Sequence, residues 1–201
     1  MGYPRTHLAT ATAAADPNLF VTDVHMANGA YIVATPDMPE ANTARHVTLT
    51  RTFDGAADTP GTVLITGTDL RGQTISEVLT PSAVDATLVE GTKWFHKVVS
   101  AVQSGWVIGE ANDHIVIGCG AEVAVAEGIG TLYSLTVNTT AAGAITISDA
   151  GGTIAIIVQG VTPITFVYDV TFSGHLSVVS AAASDITIVH SGSAPASYAM
   201  S

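Results

Sequence analysis

Cysteine is almost missing from this chain. Cys119 stands alone among 201 residues, so no intrachain disulfide can form and a four-cysteine metal site is excluded. Charge is scarce as well: Asp, Glu, Lys and Arg make up 11% of the residues, against about 25% in an ordinary globular domain. The basic residues are only Arg5, Arg45, Arg51, Arg71, Lys93 and Lys97, and beyond Lys97 the charged residues are all acidic. A net charge of −11 leaves little to neutralise phosphates or to hold the chain on an anionic bilayer, which argues against nucleic-acid and membrane partners. No apolar run approaches the 18 or so residues needed to span a bilayer, and no secretory apolar segment follows Met1. The opening Met1-Gly2-Tyr3-Pro4-Arg5-Thr6 fits the bare N-myristoylation pattern, but Pro4 stiffens the segment a transferase must read. No stretch sustains the i, i+3, i+4, i+7 spacing of a long amphipathic helix.

What is present is β-strand text. Hydrophobic residues reach 47%, an ordinary share, and Thr, Ser, Ala and Gly fill positions where a solvated surface usually carries Lys and Glu. A subunit whose faces are covered by neighbouring proteins has less need of surface charge, so the composition points to a protein that docks onto others.

The chain divides into three regions. Residues 1 to 43 mix Ala-rich and Pro-rich text, with Pro17, Pro36 and Pro39 breaking regular elements. They are expected to form an extended N-terminal arm with one or two short strands, such as Ala30 to Ala34. Phe20, Tyr31 and Ile32 are too apolar for free solvent, so the arm should pack on its own domain or on a neighbour. Residues 44 to 126 alternate. In ARHVTLT, Val47 and Leu49 face one side and His46, Thr48 and Thr50 the other. GTVLITG and QTISEVLT flank a Gly-containing turn and read as a hairpin. TKWFHKVVSAV, GWVIG and HIVIG supply further strands. A Gly-rich stretch from Gly118 to Gly130 reads as a boundary. Residues 127 to 201 then carry six short strands, GTLYSLTVNT, GAITISD, TIAIIVQ, ITFVYDVTF, LSVVS and DITIVH, with Asp149 to Gly152 as a hairpin turn. The expected fold is all-β: two antiparallel β-sandwich or barrel-like domains preceded by the arm.

Catalytic constellations are hard to find. There is no G-x-S-x-G, H-E-x-x-H or P-loop. The histidines (7, 25, 46, 96, 114, 175 and 190) are scattered, and a single His on a strand is more often a surface or satisfied residue than a ligand. Asp113-His114 invites a triad, which only geometry could establish. Cys119 between two glycines invites a nucleophile reading, but a small buried residue at a tight turn fits it better. No catalytic, cofactor or metal residue is therefore assigned, and the chain is expected not to be an enzyme. Trp94 and Phe95 are adjacent in strand text and point to opposite faces, so one of them must leave its own core for a second layer or a partner. The candidate interface residues are Phe20, Tyr31, Ile32, Trp94 and Phe95.

The strand texts also carry a resemblance. ARHVTLT, then GTVLITGTDLRGQTISEVL, then VEGTKWFHKVVSAV resembles a module of structural proteins of tailed bacteriophages. The text from GTLYSLTVNTTAAGAITISDAGGTIAII to DITIVH is similar to a second module at the ends of phage head and fibre proteins. Together they cover residues 44 to 191; the arm carries none of the resemblance, and the loop Pro81-Ser82-Ala83-Val84-Asp85 departs from the usual Gly- or Asn-rich turn. The resemblance implies a capsid decoration (cement) protein that binds the major capsid protein on the outside of an assembled head. Such proteins often act as homotrimers. It would be found in the host cytoplasm before assembly and on the virion surface after it. A head fibre or tail component is the alternative within that class. A carbohydrate-binding adhesin is the alternative outside it: aromatics exposed at loop tips favour sugar, aromatics on sheet faces favour assembly.

Overall fold

The computed structural model describes residues 5–10, 15–26, 29–53, 59, 61–107 and 113–193. The protein is all-β, and every ladder between strands is antiparallel. The first module is a sandwich of two four-stranded sheets. One contains, in spatial order, β2 (Asp16–His25), β9 (His114–Cys119), β4 (Val47–Thr52) and β7 (Val89–Glu90); the other contains β3 (Ala30–Tyr31), β8 (Lys97–Ser104), β5 (Thr62–Thr68) and β6 (Thr74–Leu79). Period-two text makes these strands: in β5, Val63 and Ile65 are fully buried while Thr62, Leu64 and Thr66 are not. Phe20, Leu49, Ile65, Phe95 and Ile117 meet in the core between the sheets, each contributing about 1.5–3 kcal/mol of burial.

The second module is a seven-stranded sheet curled into a half-barrel around its own core. Its strands are β10 (Val123–Val137), β11 (Ile145–Asp149), β12 (Gly152–Ile157), β13 (Ile164–Phe172), β14 (His175–Ser180) and β15 (Asp185–Ser193), with β1 (Arg5–Thr10) added along β15. All six strands expected in this region are present. β10 is the spine: β15 runs along one edge, while β13 and β14 share the other end to end, broken at Ser173-Gly174.

Two expectations change. The arm expected over residues 1 to 43 is not separate. β1 belongs to the second module, and β2 is a ten-residue strand of the first sandwich. The boundary expected at 126/127 falls inside β10; the modules instead part between Cys119 and Val123. Gly118, Gly120 and Gly130 mark close approaches within the sheets rather than a linker, and Gly128 takes a φ of +91°. At Gly130 a Cβ would overlap the Ser191 carbonyl and the Phe172 ring. Of the expected strand GWVIG, Val107 makes one bridge to Thr59, and residues 108–112 lie outside the described set. The C-terminal text after Ser193 lies outside it too.

Candidate docking face

The hairpin β5–β6 and strand β8 place their outward residues in transverse rows, because cross-strand partners share a face. Leu64 is opposite Val78 on one side and Val102 on the other, and Ala30 of β3 continues the row beyond Val102. Leu64, Val78 and Val102 are 42%, 58% and 39% exposed. The next rows are hydroxyls: Ser76, Thr66 and Ser100 on one side, Thr62 and Ser104 on the other. No charged residue belongs to these rows. At the β6 edge of these rows the Lys93 Nζ donates to the Ser76 carbonyl at 2.7 Å. Along the strands, among the described residues, charge returns at the Thr68–Lys97 row, where Lys97 pairs with Asp37 at 3.4 Å. Val99, the extra residue at a bulge in β8, adds a further exposed apolar side chain. A sheet face with an apolar stripe and a hydroxyl rim suits contact with another protein surface, where the core of an interface is depleted of charge.

A second apolar area lies on β12 and β13, where Ile156, Ile164, Val167 and Val170 are exposed. These strands form the open flank of the half-barrel: β12 pairs only with β11, and β13 only with β10.

The five interface candidates are dispersed. Phe20 and Phe95 are fully buried and Tyr31 nearly so, all in the first module's own core. The Tyr31 hydroxyl donates to the Met26 carbonyl at 3.0 Å, and burial pushes its pKa up to about 12. These three therefore hold the sandwich together and present nothing to a partner in this conformation. Ile32 is 84% exposed. The strand expected from Thr92 begins only at Lys97, so Trp94 and Phe95 precede β8, Phe95 making an isolated bridge to Arg45. Phe95 enters the first core, and Trp94 packs instead in the joint between the modules. Its ring lies 3.9 Å from that of His46 and 4.9 Å from that of His175. The docking row itself was visible in the text as consecutive apolar residues, Val63-Leu64-Ile65 and Val78-Leu79, which in a strand must put one of each pair outside.

Cys119 is buried, and burial pushes its thiol up, the reverse of an activated nucleophile. His114 Nδ1 lies 2.8 Å from Asp23 Oδ1. Among the described residues no three His, Cys, Asp or Glu side chains converge as metal ligands would. Trp106 packs against the first core, so neither tryptophan forms a loop-tip platform. No protein-family model and no curated protein matches the chain.

Proposed function

We propose that this chain is a non-enzymatic virion structural protein: a decoration (cement) subunit that binds the outside of an assembled phage head and reinforces it. The observation that carries the reading is the charge-free face with the Val78–Leu64–Val102 row. On a chain of net charge −11, an exposed face without charge is the surface where another protein can dock without desolvating ions. The partner is the major capsid protein, with a homotrimer of this chain as the docking unit. Resemblance of the strand texts to tailed-phage structural proteins supplies the identity of the assembly.

The test is binding of purified protein to heads assembled from the major capsid protein of the source phage. Wild type should saturate the heads and raise the temperature at which they disrupt. Leu64→Lys should weaken binding at least ten-fold, about 1.4 kcal/mol, with an unchanged far-UV spectrum because the side chain already reaches solvent. Heads that bind no wild-type protein, or bind the variant equally well, would overturn the proposal.

A further inference from the structure

Among the described residues, a few contacts join the two modules. Ala44 and Ala124 exchange backbone hydrogen bonds of 3.0 and 2.8 Å across it. Leu70, at the β5–β6 turn, packs with these two alanines and Trp94. Trp94 touches His175 of the second module, and Arg71 Nε approaches Glu127 Oε2 at 3.7 Å. Glu127 Oε2 is itself buried and has no hydrogen-bond partner among the described residues, while the Leu70 amide hydrogen-bonds the same carboxyl group. A cleft of about 300 Å³ opens beside it, lined by Asp69, Ile75, Thr92, Lys93, Trp94 and Glu127.

We propose that this joint is a proton-operated latch, closed around a protonated Glu127 and loosened when that proton leaves. The inference is independent of the docking reading above. An ionised Glu127 would be a buried carboxylate beside the Asp69 carboxylate, and its nearest cation, Arg71, is half-exposed and too distant for a good hydrogen bond. Lys93 lines the same cleft, but its Nζ donates to the Ser76 carbonyl at 2.7 Å. On the side of the second module, Glu127 stands opposite His175 in the β10–β14 ladder. His46, Glu122 and Asp149 act on that imidazole.

The direction follows from these surroundings. Burial pushes the Glu127 carboxyl up from 4.5 to about 7, Asp69 adds to the rise, and Arg71 and the Leu70 amide oppose it. The closed joint thus holds the proton more tightly than an open, solvated one. Its contribution to closure is complete below 4.5, declines above that value and is lost as pH rises through about 7. His175 works in the opposite direction. Burial lowers its pKa from 6.5, so closure gains from neutral imidazole and weakens as pH falls below that value. Comparison with Glu127→Gln, which mimics the protonated acid and keeps His175, removes the histidine's contribution.

The Ala44 and Ala124 amides report opening directly, because each donates to the other's carbonyl across the joint. Hydrogen exchange of these amides should be measured from pH 5.5 to 8 in the full chain and in Glu127→Gln, with Ile117 and Ile147 as core references. The ratio of wild-type to variant protection should fall roughly 30-fold over that range, as a carboxyl pKa raised from 4.5 to about 7 requires, while the core amides show no such change. A ratio that does not vary with pH would overturn the latch. Should the variant fail to fold, carboxyl-carbon NMR of wild-type Glu127 decides: a midpoint near 7 is expected, and one at the ordinary carboxylate value would overturn it.

Discussion

Arg45 shows how a single ionic group is made tolerable inside this sandwich. It is fully buried, and its guanidinium is spent on fixed partners. Nε and Nη2 donate to Glu40 at 3.2 and 2.6 Å, and Nη1 donates to the Gly120 carbonyl at 2.7 Å. Its backbone also exchanges hydrogen bonds of 2.9 Å with Phe95, the residue that carries Trp94 into the joint. Removing the acid while leaving the base strands a buried charge, which costs about 3–5 kcal/mol. Glu40→Ala should therefore lower the urea midpoint by a corresponding amount with an unchanged slope, and Glu40→Gln, which keeps an acceptor, should lose less. Equal stability of Glu40→Ala and wild type would mean that the guanidinium finds another acceptor. At this scale the sequence was legible in part. The separation of Trp94 from Phe95 was expected from strand alternation, and the two do go to different clusters, although they lie just before β8 and not within it. Alternation in ARHVTLT also puts Arg45 on the face of Val47 and Leu49, but nothing in the text shows that Glu40, five residues earlier, meets it there. Thr48 breaks the expected alternation: it is 2% exposed although Val47 and Leu49 face the core, since both faces of β4 are covered.

Among the strands, legibility tracked regularity. β5, β6 and β11 to β15 follow the text closely, and turns with Gly or Asp delimit them. β2 was hidden. Its register with β9 shifts twice, and Asp23 sits at φ +42°, so no run of period two survives across its ten residues. The prolines around it then made a packed strand look like a loose arm. β1 was hidden for a different reason: its partner β15 is at the far end of the chain, and pairing over that separation leaves no local signal. β1 covers one edge of β15, whose other edge is taken by β10. Deleting residues 1–14 should leave both modules folded but expose that edge from Asp185 to His190, and an open edge is a template for pairing with another chain. Sizing with light scattering should then show concentration-dependent species that the full chain lacks. An unchanged profile would show that the edge needs no cover.

For the whole molecule, the dependence of each module on its own strands sets where the chain can be cut. β10 brings Val123 and Val125 into the second core and pairs through residues 123–127 with β14. A fragment of residues 128–201, which the Gly-rich text suggests as a domain, loses that part of the spine. It should remain unfolded, whereas residues 121–201 should show a cooperative, if shallow, transition, because so small a module has limited surface to bury. Folding of the shorter fragment would mean that β13 and β15 suffice to hold β10. The text hid this boundary because the same residue type that marks a linker also marks places where a backbone passes too close for a side chain.

The pairing of β1 with β15 has a mechanical consequence. Arg5 lies opposite His190, so the first described residue and the last few of β15 sit at the same end of one antiparallel ladder. Tension applied through the two ends of the chain therefore pulls across the hydrogen bonds one pair at a time, as a zipper opens, instead of loading the whole row in shear. β1 would peel away at low force and leave the remainder of the half-barrel intact. A tether attached at both ends would yield by the length of that strand before either core bears the load.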